Sequence, residues 1–228
     1  MGSTVAWPAS AGALRAVQKE LAEERPPAWR APAAAYSTGG CFVCFTRGIG
    51  GRGVPGEPGW AGAALALGAR ILSSAVIQGR AGASYDPGLL ALREGPLLEA
   101  AVRALPRMPD VLLVNATGRD HPRRAGLALH LGAVLELPTI GVTHRPLVAR
   151  GEWPSDQAGA CSALLIGEEQ VGCWLRTRRH TRPLAVHPGW RTGLDTACAV
   201  VLAASGRVRA PEPLREARRV ARRARAGV

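Results

Sequence analysis

The chain has 228 residues, 47% of them hydrophobic, and a formal net charge of +12. That length supports one well-buried core, and no apolar run approaches the roughly 18 residues of a membrane-spanning helix, so a globular chain without a membrane partner is expected. The basic excess favours a polyanionic partner, nucleic acid first, although only one of the basic residues is a lysine (Lys19), which suggests GC-rich coding and makes placement more informative than number.

The cysteines, Cys41, Cys44, Cys161, Cys173 and Cys198, are odd in number and scattered, as expected for reduced thiols in a cytoplasmic protein. No basic stretch precedes an apolar core near the N-terminus, so no secretory signal is expected. Cys41 and Cys44 have C-x-x-C spacing, but no second pair completes a zinc site, and the intervening Phe42 and Val43 suit a buried strand.

In chain order, Leu14, Val17 and Leu21 share one face of a helix over 14–24, which Pro26 and Pro27 stop. A Pro- and Ala-rich connector leads to a strand over 36–45, then a Gly/Pro-rich turn over 47–59. Apolar runs at 60–67 and 70–78 complete an antiparallel meander. A loop over 79–87 precedes a helix over 89–105 with Leu90, Leu97, Leu98, Ala101 and Leu105 facing inward. The stretch 109–144 then reads as strand (111–114), polar loop (115–124), helix (125–135) and strand (140–142). Such a unit puts its loop at the C-terminal ends of parallel strands, where α/β sheets build sites. Asn115, Asp120, His121 and the arginines Arg119, Arg123 and Arg124 concentrate there. A hairpin over 162–176, a short strand over 184–187 and helices over 192–204 and 213–226 follow, the last strongly basic. The pattern makes a mixed sheet with helices on both faces.

Several separated motifs resemble the endonuclease V family, metal-dependent nucleases that nick nucleic acid near deoxyinosine or inosine. They are Tyr85-Asp86-Pro87-Gly88 with Leu92-Arg93-Glu94, Pro109-Asp110, and Gly118 with His121-Pro122-Arg123-Arg124 and Gly126. Leu137-Pro138-Thr139-Ile140-Gly141-Val142, Gly189 with Arg191, Asp195 and, in the first helix, Gln18 complete the set. The resemblance covers about 14–202 and implies an α/β, ribonuclease H-like fold: a mixed β-sheet of five core strands flanked by helices. It implies one endonuclease V-like domain over 1–228, with a basic C-terminal helix at about 207–228.

By the same resemblance, Mg²⁺ is held by an Asp on the first strand, a Glu opening the helix after the Tyr-x-Pro-Gly turn, and an Asp ending the central strand. Here those positions are Cys41, Glu94 and Asn115, while His144 stands for the family lysine and Trp190 for a late histidine. The implied catalytic group is therefore Glu94, Asn115, His144 and Cys41. The implied substrate-binding group is Tyr85, Pro87 and Gly88 as a strand-separating wedge, with Gly118, His121, Arg123, Arg124 and Trp190.

Glu57 is the lone acidic residue between Trp29 and Tyr85, so no other carboxylate can replace the one missing from the first strand. Hard Mg²⁺ prefers anionic oxygen, and a cysteine is a poor substitute. No bound metal is expected; if activity is retained, Mg²⁺ would rest on Glu94. Arg119, Arg123 and Arg124 are expected at phosphates, with backbone carbonyls as the competing acceptors, and His121 in a structural hydrogen bond. Asp120 is a possible relocated ligand that should point elsewhere; Asp110 and Asp195 open a strand and a helix.

Three functions compete. The first is a binder of single-stranded or locally opened nucleic acid with lost or strongly reduced cleavage. The second is an active inosine endonuclease with a rebuilt site using Glu94, Asn115, Asp120 or Asp195. The third is a small-molecule enzyme using Cys41, His144 and Glu94, with the histidine as base for the thiol.

Overall fold

The computed structural model describes residues 6–46 and 52–227, so the opening of the Gly/Pro-rich turn lies outside the described residues. The expected meander is present. β1 (Ser37–Phe45), β2 (Pro58–Leu67) and β3 (Arg70–Arg80) pair antiparallel. β4 (Val111–Val114) and β5 (Thr139–Thr143) then add on the other side of β1, both parallel to it.

The sheet does not stop at five strands. β8 (Leu184–Pro188) pairs antiparallel with β5 and carries the hairpin of β6 (Cys161–Ile166) and β7 (Glu169–Leu175), giving eight strands in the order β3-β2-β1-β4-β5-β8-β7-β6.

One face holds α1 (Ala11–Glu23), α2 (Leu90–Arg103) and α3 (Leu127–Leu135) over a core of Leu14, Leu65, Leu98, Leu112, Val114 and Leu131. The other holds α4 (Leu194–Ser205) and α5 (Glu212–Ala226), with Val111, Leu113, Ile140 and Val186 packed beneath Val200, Val201 and Leu214. Strand alternation produces this division, since successive side chains of β4 point to opposite faces. Among the described residues no helix is long and apolar enough to cross a membrane.

α5 is built into the sheet. A Cβ at Gly40 would lie 2.4 Å from the Pro213 backbone, and one at Gly62 would lie 2.3 Å from the Ala217 carbonyl. α2 also has an unusual interior, with Pro96 inside it. Proline removes the bond normally made to the carbonyl four residues earlier, here Leu92. Gly82 lies against that carbonyl, where a Cβ would come within 2.1 Å, and its N–H donates to the neighbouring Arg93 carbonyl at 3.3 Å. The loop leaving β3 thus covers the interrupted turn of α2, the turn that carries Glu94.

Two latches tie these elements together, one at the parallel β1–β4 pair and one between the start of β2 and α2. At the first, the Asp110 carboxylate accepts from the Ser37 N–H and hydroxyl, each at 2.7 Å. These bonds hold its pKa below the ordinary range. Beneath α2, Glu57 and Arg93 form a buried ion pair, and the Arg93 guanidinium lies 3.9 Å from the centre of the Phe45 ring. Burying both partners is offset by pairing and by the Arg93 bond to the Ala83 carbonyl at 2.7 Å.

His130 and His187 are fully buried, and burial pushes both down to about 4. His130 stacks on Trp7, ring centres 4.5 Å apart. Free imidazole takes its proton near 6.5, so between about pH 6.5 and 4 the unfolded chain binds protons that the folded chain refuses. Stability is therefore full above about pH 6.5 and falls as pH drops towards 4. Thermal melts across this range should show that slope, and His130→Phe should reduce it in part, since His187 remains; a wild-type melting temperature that stays level would contradict the assignment.

Candidate functional site

The register between β1 and β4 builds the centre of the site. Cys41 pairs with Val114, so Cys41 and Asn115 stand side by side where the parallel strands end. Glu94 approaches from the first turns of α2. Cys41, Glu94, Asn115 and Tyr85 line one cavity of about 160 Å³. The sequence-derived group is thus brought together, except for His144. That residue lies in a separate recess with Phe42, Arg215 and Arg218, and Asn115 borders both spaces.

Chemistry in this cavity follows from burial. Removal from water pushes the Glu94 carboxyl up to about 8, partly offset by Arg93. The Cys41 thiol is fully buried and is pushed far up by burial and then by Glu94, so it stays protonated. His144 is lowered by burial and by Arg209 and Arg218, leaving it neutral near pH 7. A protonated thiol and an imidazole in different recesses do not make a nucleophile–base pair.

The donor set also does not fit Mg²⁺. One carboxyl, one neutral amide and one thiol replace the cluster of anionic oxygens a hard cation requires. Among the described residues no group of three His, Cys, Asp or Glu side chains is placed to hold a metal ion. The proposed substitutes are committed elsewhere. Asp120 is fully buried and accepts from the N–H groups of Leu147, Val148 and Ala149 at 2.6, 2.9 and 2.8 Å. Asp195 sits in the first turn of α4, outside these cavities.

A second cavity of about 190 Å³ adjoins the first through Tyr85 and Asn115, and Gln18, Gly88, Thr117, His121 and Arg145 also line it. Its roof is the Tyr85–Gly88 turn, held by one acceptor. The Gly88 carbonyl receives Gln18 Nε2 at 3.0 Å, His121 Nε2 at 3.1 Å and Arg123 Nη2 at 2.7 Å. Arg123 Nε donates to Gln18 Oε1 at 2.6 Å, and the Arg123 N–H donates to His121 Nδ1 at 3.1 Å. An Nδ1 that accepts leaves the proton on Nε2, and burial holds His121 down at about 4, neutral as the network requires. Gly88 has φ +82°, a conformation glycine adopts without strain. Tyr85 stays 43% exposed at the rim.

The arginines of the polar loop are at protein acceptors. Arg119 donates to the carbonyls of Ala22 and Glu24, and Arg124 pairs with Glu169 at 2.7 Å. With Arg123 on Gly88, all three go to protein groups where phosphate was expected, because α1 and β7 bring acceptors within reach. Gly118 does not line the cavity; a Cβ there would lie 2.1 Å from the Pro188 carbonyl, so it serves close packing on β8. Trp190 is likewise away from the cleft, packed on α3 against Gly132 and near Leu21 and Leu129. Sequence reasoning missed Arg145, Thr117 and Thr143 as cavity-lining residues; their place at the loop after β4 and the end of β5 was the available signal.

A mixed sheet with helices on both faces and a polar cleft at the ends of its parallel strands is a ribonuclease H-like fold. A family model described as Endonuclease V matches residues 61–219. An endonuclease V of Streptomyces coelicolor is 44% identical over 147 residues, 64% of this chain and 63% of that protein, so the match spans just under two thirds of the relative's length. The solved endonuclease V of Streptomyces avermitilis superimposes with a TM-score of 0.87 at 36% identity, covering 97% of this chain and 95% of that one. The Ciona intestinalis endonuclease V, solved with a 24mer DNA containing an inosine followed by a ribo-adenosine, shares the fold with a TM-score of 0.78 at 19% identity, over 95% of this chain and 98% of that one. The chain belongs to the endonuclease V family.

Two outcomes are expected from the site. Asp120→Ala removes the acceptor of three N–H groups, of which that of Ala149 is buried, and should destabilise the protein by about 2 kcal/mol in denaturant titration. Arg123→Ala should loosen the turn over the cavity, raising hydrogen exchange at residues 85–89 by roughly tenfold without unfolding the sheet.

Proposed function

We propose that this family member binds single-stranded or locally opened nucleic acid in the Tyr85–Asn115 cleft and has lost, or strongly reduced, metal-dependent strand cleavage. The donor set carries this reading: Cys41 and Asn115 flank Glu94 where a divalent cation needs further carboxylates. The binding half is supported by an exposed aromatic at the rim of a preformed cavity and by the +12 net charge. The inosine-containing DNA held by the Ciona protein supplies the ligand class. A small-molecule enzyme is disfavoured by the protonated Cys41 and by its separation from His144.

The test is a cleavage and binding assay on an inosine-containing single strand. The wild-type chain should bind in a salt-dependent manner and give no robust nicking with Mg²⁺ or Mn²⁺. The double change Cys41→Asp with Asn115→Asp should create a Mn²⁺ site detectable by calorimetry. Wild-type nicking that Glu94→Ala abolishes would overturn the reading and establish a rebuilt active site.

A further inference from the structure

Beyond the cleft, the sheet face under α5 carries a second constellation. Arg215, Arg218, Arg222 and Arg225 recur at intervals of three, four and three residues, which places them on one stripe of the helix. The recess at the start of the stripe contains Arg215, Arg218, Phe42 and Asn115, and so opens directly beside the cleft. At the other end, Arg222 and Arg225 line a cavity of about 350 Å³ with Trp60.

Two aromatics interleave with these charges. Phe42 and Trp60 lie on the α5 face of β1 and β2, since Phe42 pairs with Gly62 and Trp60 with Cys44. The guanidinium carbons of Arg218 and Arg222 sit 5.4 and 6.0 Å from the Phe42 ring centre. Both arginines are exposed, and Phe42 and Trp60 are half-buried. Arg215 is held by Glu212 at 2.8 Å, and Arg225 donates to the Phe45 carbonyl at 3.3 Å, so the ends of the stripe are fixed.

We infer that this stripe is a binding track for the continuing single strand, extending the cleft across the α5 face. Arginines along a groove follow a phosphate backbone, and aromatic faces beside them accept stacked bases without sequence preference. Ten residues of helix span about 15 Å, enough for about four stacked nucleotides.

The inference rests on the reading of the cleft as a nucleic-acid site, and the experiment separates the two. Anisotropy titrations would compare inosine-containing single strands of ~4 nucleotides, too short to fill the cleft and also follow the stripe, with strands of ~20 nucleotides. Arg218→Ala with Arg222→Ala should weaken the long strand roughly tenfold, lower its salt slope by about 1.4, and leave the short strand unchanged. Trp60→Phe should remove part of the tryptophan fluorescence change that the long strand produces. Tyr85→Ala should weaken both lengths. If Tyr85→Ala acts but the arginine pair does not, or if the pair weakens both lengths equally, the track is overturned and the cleft stands. If the wild-type chain binds neither strand, both are overturned.

Discussion

The Gly88 carbonyl oxygen is where the site is assembled. It receives hydrogen bonds from a side chain of α1 and from two residues of the loop after β4, while the turn that owns it leads into α2. Three separately folded pieces of chain therefore share one acceptor. A carbonyl has two lone pairs, so the arrangement holds only with accurate placement of all three donors. Arg123 and Gln18 are also bonded to each other, so removal of either member loosens the other. The neutral tautomer of His121 is part of the same closure.

This network holds the turn over the cavity through residues other than Cys41, Glu94 and Asn115. Four of the motif residues, Gln18, Gly88, His121 and Arg123, are bonded to one another around the turn. Cys41 and Asn115 sit outside that closure, at strand ends where a change of side chain leaves the backbone register intact. The residues that fix the turn and those that line the Glu94 cavity are thus different. The hydrogen bonds that hold the turn over the cavity therefore do not involve Cys41, Glu94 or Asn115.

Much of the fold could be read from the chain because its signals are local. The apolar run at 111–114, the breaker Pro138 and the inward leucines of α2 each mark an element directly. The attachment of β8, β7 and β6 to β5 could not be read, since an antiparallel addition at a sheet edge leaves no trace in the pattern of either strand. Trp7 was invisible for a related reason. A lone aromatic ahead of the first helix says nothing of the Glu99 carboxylate that accepts its indole N–H at 2.6 Å. In the site, residue types were legible and acceptors were not. An arginine offers the same fork to a phosphate and to a carbonyl, and only the path of α1 decides that Arg119 meets Ala22 and Glu24.

The two glycines beneath α5 have a thermodynamic consequence. With no side chains at Gly40 and Gly62, the helix backbone rests directly on the strands. An arginine-rich segment on a free tail would lose conformational freedom each time it met an anion. Here the backbone ordering is complete when the protein folds, so a ligand of that face orders only side chains. The same closeness makes β1 and α5 one rigid body, and the distance from Asn115 to the arginine stripe is set by the fold.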